Sequence, residues 1–475
     1  AYGGATTKNG TIDRTVFNNP DPFGGGSNTI TVDNMGRQVD RYLNAQTIDP
    51  AALYIVWGGG NDLFDDPSGS NVTATSTQMV GLINRLAAAG ARNFLVLNVP
   101  PLGQIPKYNN NSSKQPILNQ ASYDYRVRLN SDLDAAEAAF AQQGVPVKLY
   151  RVDIWSLAVK FGIAPASYGF TNTTDAVQGK SSVDPDTYGF WDDIHPTTAG
   201  HFQIAQEAAR VLSNTKPATA RATNESTRVA VGQGDDRAIA GFIVTGSVPK
   251  RVLVRALGPS LSQYGIAGVL PDPTLSLFDA NHNLVATNNN WADSQAAEIA
   301  ATGLAPTDPR ESAIVVPLPP GTYTAVLAGV NSSTGIGLAE VYDLESGSNA
   351  TFSNLSTRGF VGTGDSVLIG GLIVGEGESP IVVLRGVGPA LTTFGVQNAL
   401  ADPTLQVFDQ NGMQIAANDN WKDGQPGTAK AALLAPSDDR ESLIALLLAP
   451  GHYTAIVRGN GNTTGNALVE AFRVQ

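Results

Sequence analysis

Short apolar runs alternate with longer amphipathic stretches over the first two hundred residues. Leu53-Tyr54-Ile55-Val56-Trp57 stops at three glycines, which suits a buried strand running into a loop. Residues 78–89 carry apolar positions at helical spacing, and Asn93-Phe94-Leu95-Val96-Leu97 reads as a second buried strand, ended by Pro100-Pro101. A long helix is predicted over 118–142, a strand over 147–152 and a last helix over 198–212. Strands alternating with helices imply a parallel sheet covered on both faces.

Beyond that point the periodicity changes. Residues 213–227 (SNTKPATARATNEST) are polar and lack a repeat, the pattern of a linker. Then the chain copies itself. Arg255, Gly258, Pro259 and Leu261 recur as Arg385, Gly388, Pro389 and Leu391, and Asn290-Trp291 as Asn420-Trp421, always 130 positions apart. Each copy holds short alternating runs between Gly/Asn/Asp turns, which predicts antiparallel β-sandwiches at 228–345 and 346–475.

Composition narrows the partners. A formal net charge of −12 argues against nucleic acid or an anionic membrane surface as a partner, and no apolar run reaches transmembrane length. With no cysteine, disulfides, thiolate chemistry and Cys-ligated zinc are excluded. The first residue is Ala and no signal-peptide pattern is present, so the expectation is a removed leader or a fragment.

Only four histidines occur, and His195 stands three residues after Asp192 in Trp191-Asp192-Asp193-Ile194-His195-Pro196. An Asp that orients one ring nitrogen leaves the other free to take a proton from a hydroxyl, the orienter and base of a serine hydrolase. Taken alone, the pair reads equally as a helix-capping Asp beside a partly exposed His. Trp57-Gly58-Gly59-Gly60-Asn61-Asp62 offers a side-chain amide beyond a strand, either an oxyanion donor or a Gly-Asn turn. Ala1-Tyr2-Gly3-Gly4-Ala5-Thr6 offers a backbone donor or a tight turn.

AYGGAT, WGGGNDLF and FWDDIHPTTAGH, in this order and on an α/β pattern, resemble the SGNH (GDSL-type) lipase and esterase family over residues 1–212. LNVPPLGQIP resembles its secreted bacterial and plant-like branch. The resemblance implies a flavodoxin-like, three-layer α/β hydrolase domain with a parallel sheet, incomplete at its N-terminus. It implies Gly3 as an oxyanion-hole glycine (Gly4 is the nearest alternative), Asn61 as the oxyanion-hole asparagine, and Asp192 and His195 as acid and base. The family's Gly-Asp-Ser block, which carries the nucleophile, is not in front of Ala1, so the nucleophile is expected upstream and the chain alone is expected to be inactive. No metal or organic cofactor is implied.

The literal tripeptide Gly364-Asp365-Ser366 is a coincidence of the repeat, because its counterpart is Gly234-Asp235-Asp236. Asp279 and His282 reproduce the Asp–His spacing, but the other copy has Asp409 and Gly412 there, as a hairpin turn allows. His452 faces Thr322 in the other copy, and His201 falls on the last helix. The expectation is a secreted bacterial ester hydrolase acting on a small ester or acylated substrate, its β tandem contacting a cell surface or polysaccharide. The alternative is a non-catalytic surface or polysaccharide-binding protein on a degenerate hydrolase scaffold.

Overall fold

The computed structural model describes residues 4–17, 27–215, 218–345, 347–364 and 366–474. They divide into two compact units, residues 1–216 with 430–433, and residues 217–429 with 434–475.

The first unit opens with an antiparallel hairpin of β1 (Thr11–Phe17) and β2 (Ser27–Asp33), followed by α1 (Met35–Ala45). Then come β3 (Leu53–Trp57), α2 (Gly60–Asp65), α3 (Gly69–Ala88), β4 (Asn93–Leu97), α4 (Lys114–Gln142) and β5 (Lys148–Val152). The unit closes with α5 (Ile154–Ile163), β6 (Asn172–Ala176), β7 (Tyr188–Phe190) and α6 (Thr198–Leu212). The helix expected from residue 78 begins nine residues earlier, because the Ser68 side chain caps it by accepting from the Asn71 N–H.

Strands β3, β4 and β5 form a parallel sheet in that order. Alternate residues face opposite ways. Val56, Phe94 and Val96 pack with Met79, Ile83, Tyr125 and Leu133 of α3 and α4. Leu95, Leu97 and Val152 pack on the other face with Phe161, Ile204 and Val211 of α5 and α6. Helices therefore layer both faces of β4 and β5. Edge strand β3 differs: Leu53, Ile55 and Trp57, in register with Asn93, Leu95 and Leu97, are exposed, Ile55 by 65%.

The second unit holds eight strands per repeat. The first repeat gives β8 (Ala222–Val231), β9 (Ala238–Thr245), β10 (Lys250–Leu257), β11 (Pro273–Asp279), β12 (Leu284–Asn288), β13 (Ser312–Leu318), β14 (Gly321–Gly329) and β15 (Gly335–Asp343). The second gives β16 (Thr351–Val361), β17 (Leu368–Val374), β18 (Ile381–Val387), β19 (Pro403–Asp409), β20 (Gln414–Asn418), β21 (Ser442–Leu447), β22 (Gly451–Gly459) and β23 (Gly465–Val474).

Two expectations are corrected here. The stretch 213–227 is not all linker, since β8 begins at Ala222. It was invisible as a strand because Asn224, Glu225 and Thr227 are polar yet buried, between β15 and β17. Nor are the repeats separate sandwiches. Antiparallel pairing runs β13-β10-β15-β8-β17-β22-β19-β20 in one sheet and β21-β18-β23-β16-β9-β14-β11-β12 in the other, and a single pair, Phe360 with Ala230, joins the two through β16 and β8. Each sheet takes half its strands from each repeat, because β8 pairs with β17 and not β9, while β16 pairs with β9. The two sheets share one core, which includes Phe242, Leu327, Phe352 and Val457. Thr227 and Thr357, equivalent residues 130 apart, meet hydroxyl to hydroxyl at 2.7 Å, which marks the pseudo-twofold axis. Exchange of this kind is cheap because strands from near-identical copies present near-identical partners.

Candidate active site

The loop from β7 to α6 is closed by one side chain. Asp192 Oδ1 accepts from the amides of Ile194 (2.8 Å) and His195 (2.6 Å), and Oδ2 stands 2.8 Å from His195 Nδ1. The Trp191 N–H donates to the His195 carbonyl at 2.8 Å, tightening the same turn. Helix α6 is capped by Thr197, whose hydroxyl oxygen accepts from the Gly200 N–H, so Asp192 is not the cap. Partial burial works against ionised Asp192, but the His195 amide and ring and the Ile194 amide outweigh it and hold the carboxyl below its usual range. The His195 side chain is 68% exposed, leaving Nε2 open to solvent. The pair can therefore take a proton at Nε2 while Asp192 steadies the imidazolium.

A second cluster lies beyond the C-terminal end of β3. Gly59 adopts φ 107° at the start of α2, and a Cβ there would meet the Tyr125 ring at 2.8 Å. The next turn presents Asn61, whose Nδ2 donates to the Ala5 carbonyl at 2.9 Å. Asp62 is buried and accepts from both the amide (3.0 Å) and hydroxyl (2.8 Å) of Thr7. Burial pushes its carboxyl up, against the pull of those hydrogen bonds. Asn34 Oδ1 accepts from the Thr6 amide and hydroxyl, each at 2.9 Å. Gly3 lies outside the described residues. Its neighbour Gly4 has φ 81°, and its carbonyl accepts from Arg14 Nε at 2.8 Å.

The segment after β4 touches both neighbourhoods. The Phe64 ring of α2 lies 5.6 Å from that of Tyr108, and the Lys107 N–H donates to the Asp193 carbonyl at 3.0 Å. Deeper, Asn98 and Asp153 follow β4 and β5, and Asn98 Nδ2 donates to Asp153 Oδ1 at 2.9 Å. Arg126 closes an ion pair on Asp153 at 2.6 Å, and the Ser156 hydroxyl donates to it at 2.7 Å. Burial alone would raise the Asp153 pKa, but Arg126, Asn98 and Ser156 bring it down to about 2. Sequence reasoning missed Thr7, Asn34, Asp62, Asn98, Arg126 and Asp153. The one available signal was Asp62, standing directly after Asn61.

Of the rejected candidates, Ser366, Asp279 and Asp409 stand at turns, while His201 lies on α6 and His452 on β22. Ser366 accepts through its carbonyl from Gly362 N–H, as Asp236 does from Gly232. Asp279 Oδ1 is occupied by the amides of Asn281 and Asn283, and Asp409 Oδ1 likewise by those of Asn411 and Met413. His201 Nδ1 lies 3.0 Å from the Thr197 carbonyl of its own helix. Among the described residues no group of three or more His, Cys, Asp or Glu side chains could hold a metal ion, and no helix is long and apolar enough to cross a membrane.

Residues 1–208 match the family model described as GDSL-like Lipase/Acylhydrolase. This part of the chain belongs to that family. Its SGNH hydrolase fold accords with a parallel sheet layered between helices. The thermolabile hemolysin of Vibrio parahaemolyticus is 26% identical over 208 residues, 39% of this chain and 48% of that protein. Esterase EstA of Pseudomonas aeruginosa is 30% identical over 206 residues, covering 39% of this chain and 30% of EstA. A GDSL esterase/lipase of Arabidopsis thaliana is 26% identical over 189 residues, 36% and 53% of the respective chains. The matched GDSL region thus spans about half or less of these relatives' length.

Proposed function

We propose that the GDSL unit is the core of a secreted bacterial ester hydrolase acting by a Ser-His-Asp mechanism. The observation that carries the reading is the His195–Asp192 pair, with Nδ1 2.8 Å from the carboxylate and Nε2 open to solvent. A serine hydroxyl attacks the ester carbonyl carbon as Nε2 takes its proton. Asn61 Nδ2 and the backbone N–H of Gly3, or of Gly4, donate to the oxyanion. Collapse of the tetrahedral intermediate expels the alcohol, which takes the proton from Nε2. Water then repeats the sequence on the acyl-enzyme and releases the acid. The mechanism draws on no metal or organic cofactor.

The serine is assigned to a segment bearing Gly-Asp-Ser outside the described residues. The edge position of β3 among the described residues, and the exposure there of Leu53, Ile55 and Trp57, support this, since parallel sheets are ordinarily covered on both faces. A further parallel strand there would deliver its C-terminal end beside Asn61, where ligands of open α/β sheets bind. The exchanged sandwich is assigned to contact with a cell surface or polysaccharide.

The test is hydrolysis of p-nitrophenyl acetate and butyrate. Residues 1–475 alone should give no turnover above a His-assisted background. The protein carrying whatever its gene encodes ahead of Ala1 should turn over, and His195→Ala should abolish that. Turnover that survives His195→Ala refutes the assignment. If the gene encodes no serine-bearing segment there, the non-catalytic binding role takes its place.

A further inference from the structure

From the contacts around Asn61 we infer that Asp62 is a positioning residue, which sets the oxyanion donor by clamping the strand of chain that its neighbour Asn61 reads. This rests on the ester-hydrolase reading for its use, but not for its geometry.

The contacts close a ring. Asn61 Nδ2 donates to the Ala5 carbonyl at 2.9 Å. Two residues on, the Thr7 amide donates to the Asp62 carboxylate at 3.0 and 3.1 Å, and the Thr7 hydroxyl donates to it at 2.8 Å. Asp62 is the next residue after Asn61 on α2, so the path returns to its start. Thr6 is held in between by Asn34, and Thr7 also meets Gln78 Oε1 at 2.6 Å. One hydroxyl proton cannot serve both Asp62 and Gln78, so with Asp62 ionised the Gln78 amide turns to donate to Thr7 Oγ. Thr6, Thr7, Asn34 and Asp62 are all buried, leaving water little access to compete.

The ring decides which way the Asn61 amide faces. A carbonyl accepts only from the NH2 end, so Ala5 rejects the flipped amide, which would set oxygen against oxygen. One Nδ2 hydrogen is spent on Ala5, which leaves the other for an oxyanion. The same ring fixes the distance from that hydrogen to the Gly4 backbone, one residue before Ala5. With Gly4 as the backbone donor, both donors of the proposed hole are thus set by a single carboxylate that never touches the substrate. Gly4 is steadied from its other side by Arg14, which also pairs with Asp65 at 2.7 Å on the same short helix.

The test has two arms. In the full gene product, kcat and KM are measured for Asp62→Ala, Asp62→Asn, Asn61→Ala and the Asp62→Ala/Asn61→Ala double variant. Loss of a whole oxyanion donor costs on the order of 10²–10³ in kcat. Loosening one should cost about 10–100-fold in kcat with KM nearly unchanged. Asp62→Asn keeps an acceptor for the Thr7 amide and should recover most of the loss. In the Asn61→Ala background Asp62→Ala should cost little more, because the group it positions is gone. A full multiplicative loss in the double variant would show a merely structural role and overturn the inference.

The second arm needs no activity. In the side-chain amide region of the ¹⁵N spectrum, Asn61 (assigned by its loss in Asn61→Ala) should show two well-separated NH2 protons, which merge toward free-amide values in Asp62→Ala. An Asn61 signal unmoved by Asp62→Ala overturns the inference even if esterase activity is found. A signal that moves in an inert protein leaves the clamp standing and removes only the hydrolase reading.

Discussion

The side chains of Lys250 and Asp343 are both fully buried in the β unit, with Nζ 2.7 Å from the carboxylate. Nζ also donates to the Glu345 carbonyl (3.2 Å) and the Ser348 hydroxyl (3.3 Å), and lies 6.0 Å from the Phe352 ring on β16, a strand of the other repeat. The residues 130 positions away in the opposite copy are Pro380 for Lys250, Arg473 for Asp343 and Ala222 for Phe352, so the pair breaks the symmetry of the tandem. Lys250→Met keeps the apolar stem and removes the charge. Asp343 is then a dry carboxylate without its cation, which costs about 3–5 kcal/mol. At roughly 2–4 °C per kcal/mol for a domain of this size, the calorimetric transition of the β unit should fall by about 6–20 °C. Lys250→Met/Asp343→Leu removes both charges and should return to near the parent or above it, because an apolar pair avoids the desolvation cost. Scanning calorimetry of the whole chain reads both variants. A single-variant shift below about 3 °C, or a double variant no better than the single, would refute the premise that the pair is dry and mutually dependent.

Three further outcomes follow from the geometry. Asp192→Asn in the active gene product should lower kcat/KM by up to about 10⁴, since the amide cannot steady the imidazolium, while His195→Ala removes turnover; steady-state kinetics decides it. Asp153, at about 2, lies below the unfolded 3.8, so its stabilisation is complete above about pH 4 and is lost as pH falls toward 2, where the unfolded chain has already taken up its proton. The term is about 2 kcal/mol, and Asp153→Asn should flatten that part of the acid-unfolding profile of the GDSL unit. Residues 217–345 expressed alone lose β16 and β17, the exchange partners of β9 and β8, and should assemble as a pair that trades β8; a folded monomer in sedimentation analysis would contradict this.

Local pattern carried much of this protein. The runs at 53–57 and 93–97 are strands because apolar side chains bounded by Gly and Pro leave little else to do with them. Helix α6 runs over 198–212 as read, since Thr197 supplies a cap that short-range sequence can declare. The Asp192–His195 contact was likewise legible, because three residues of separation fit one turn. The 130-residue offset also exposed Ser366 and His282 as turn residues without coordinates. What sequence could not decide depends on partners far along the chain. Strand β8 looks like linker because Asn224, Glu225 and Thr227 are buried polar residues, and their neighbours come from 335–342 and from the other repeat. Identical periodicity in both copies says that strands form, but not which copy each one pairs with, so the exchange is invisible one-dimensionally. The clamp of Asp62 on Thr7 and the ion pair of Arg126 with Asp153 join residues 55 and 27 positions apart. Polar side chains like these carry no periodic signal. Their meaning is set by burial, and burial is a property of the packed chain.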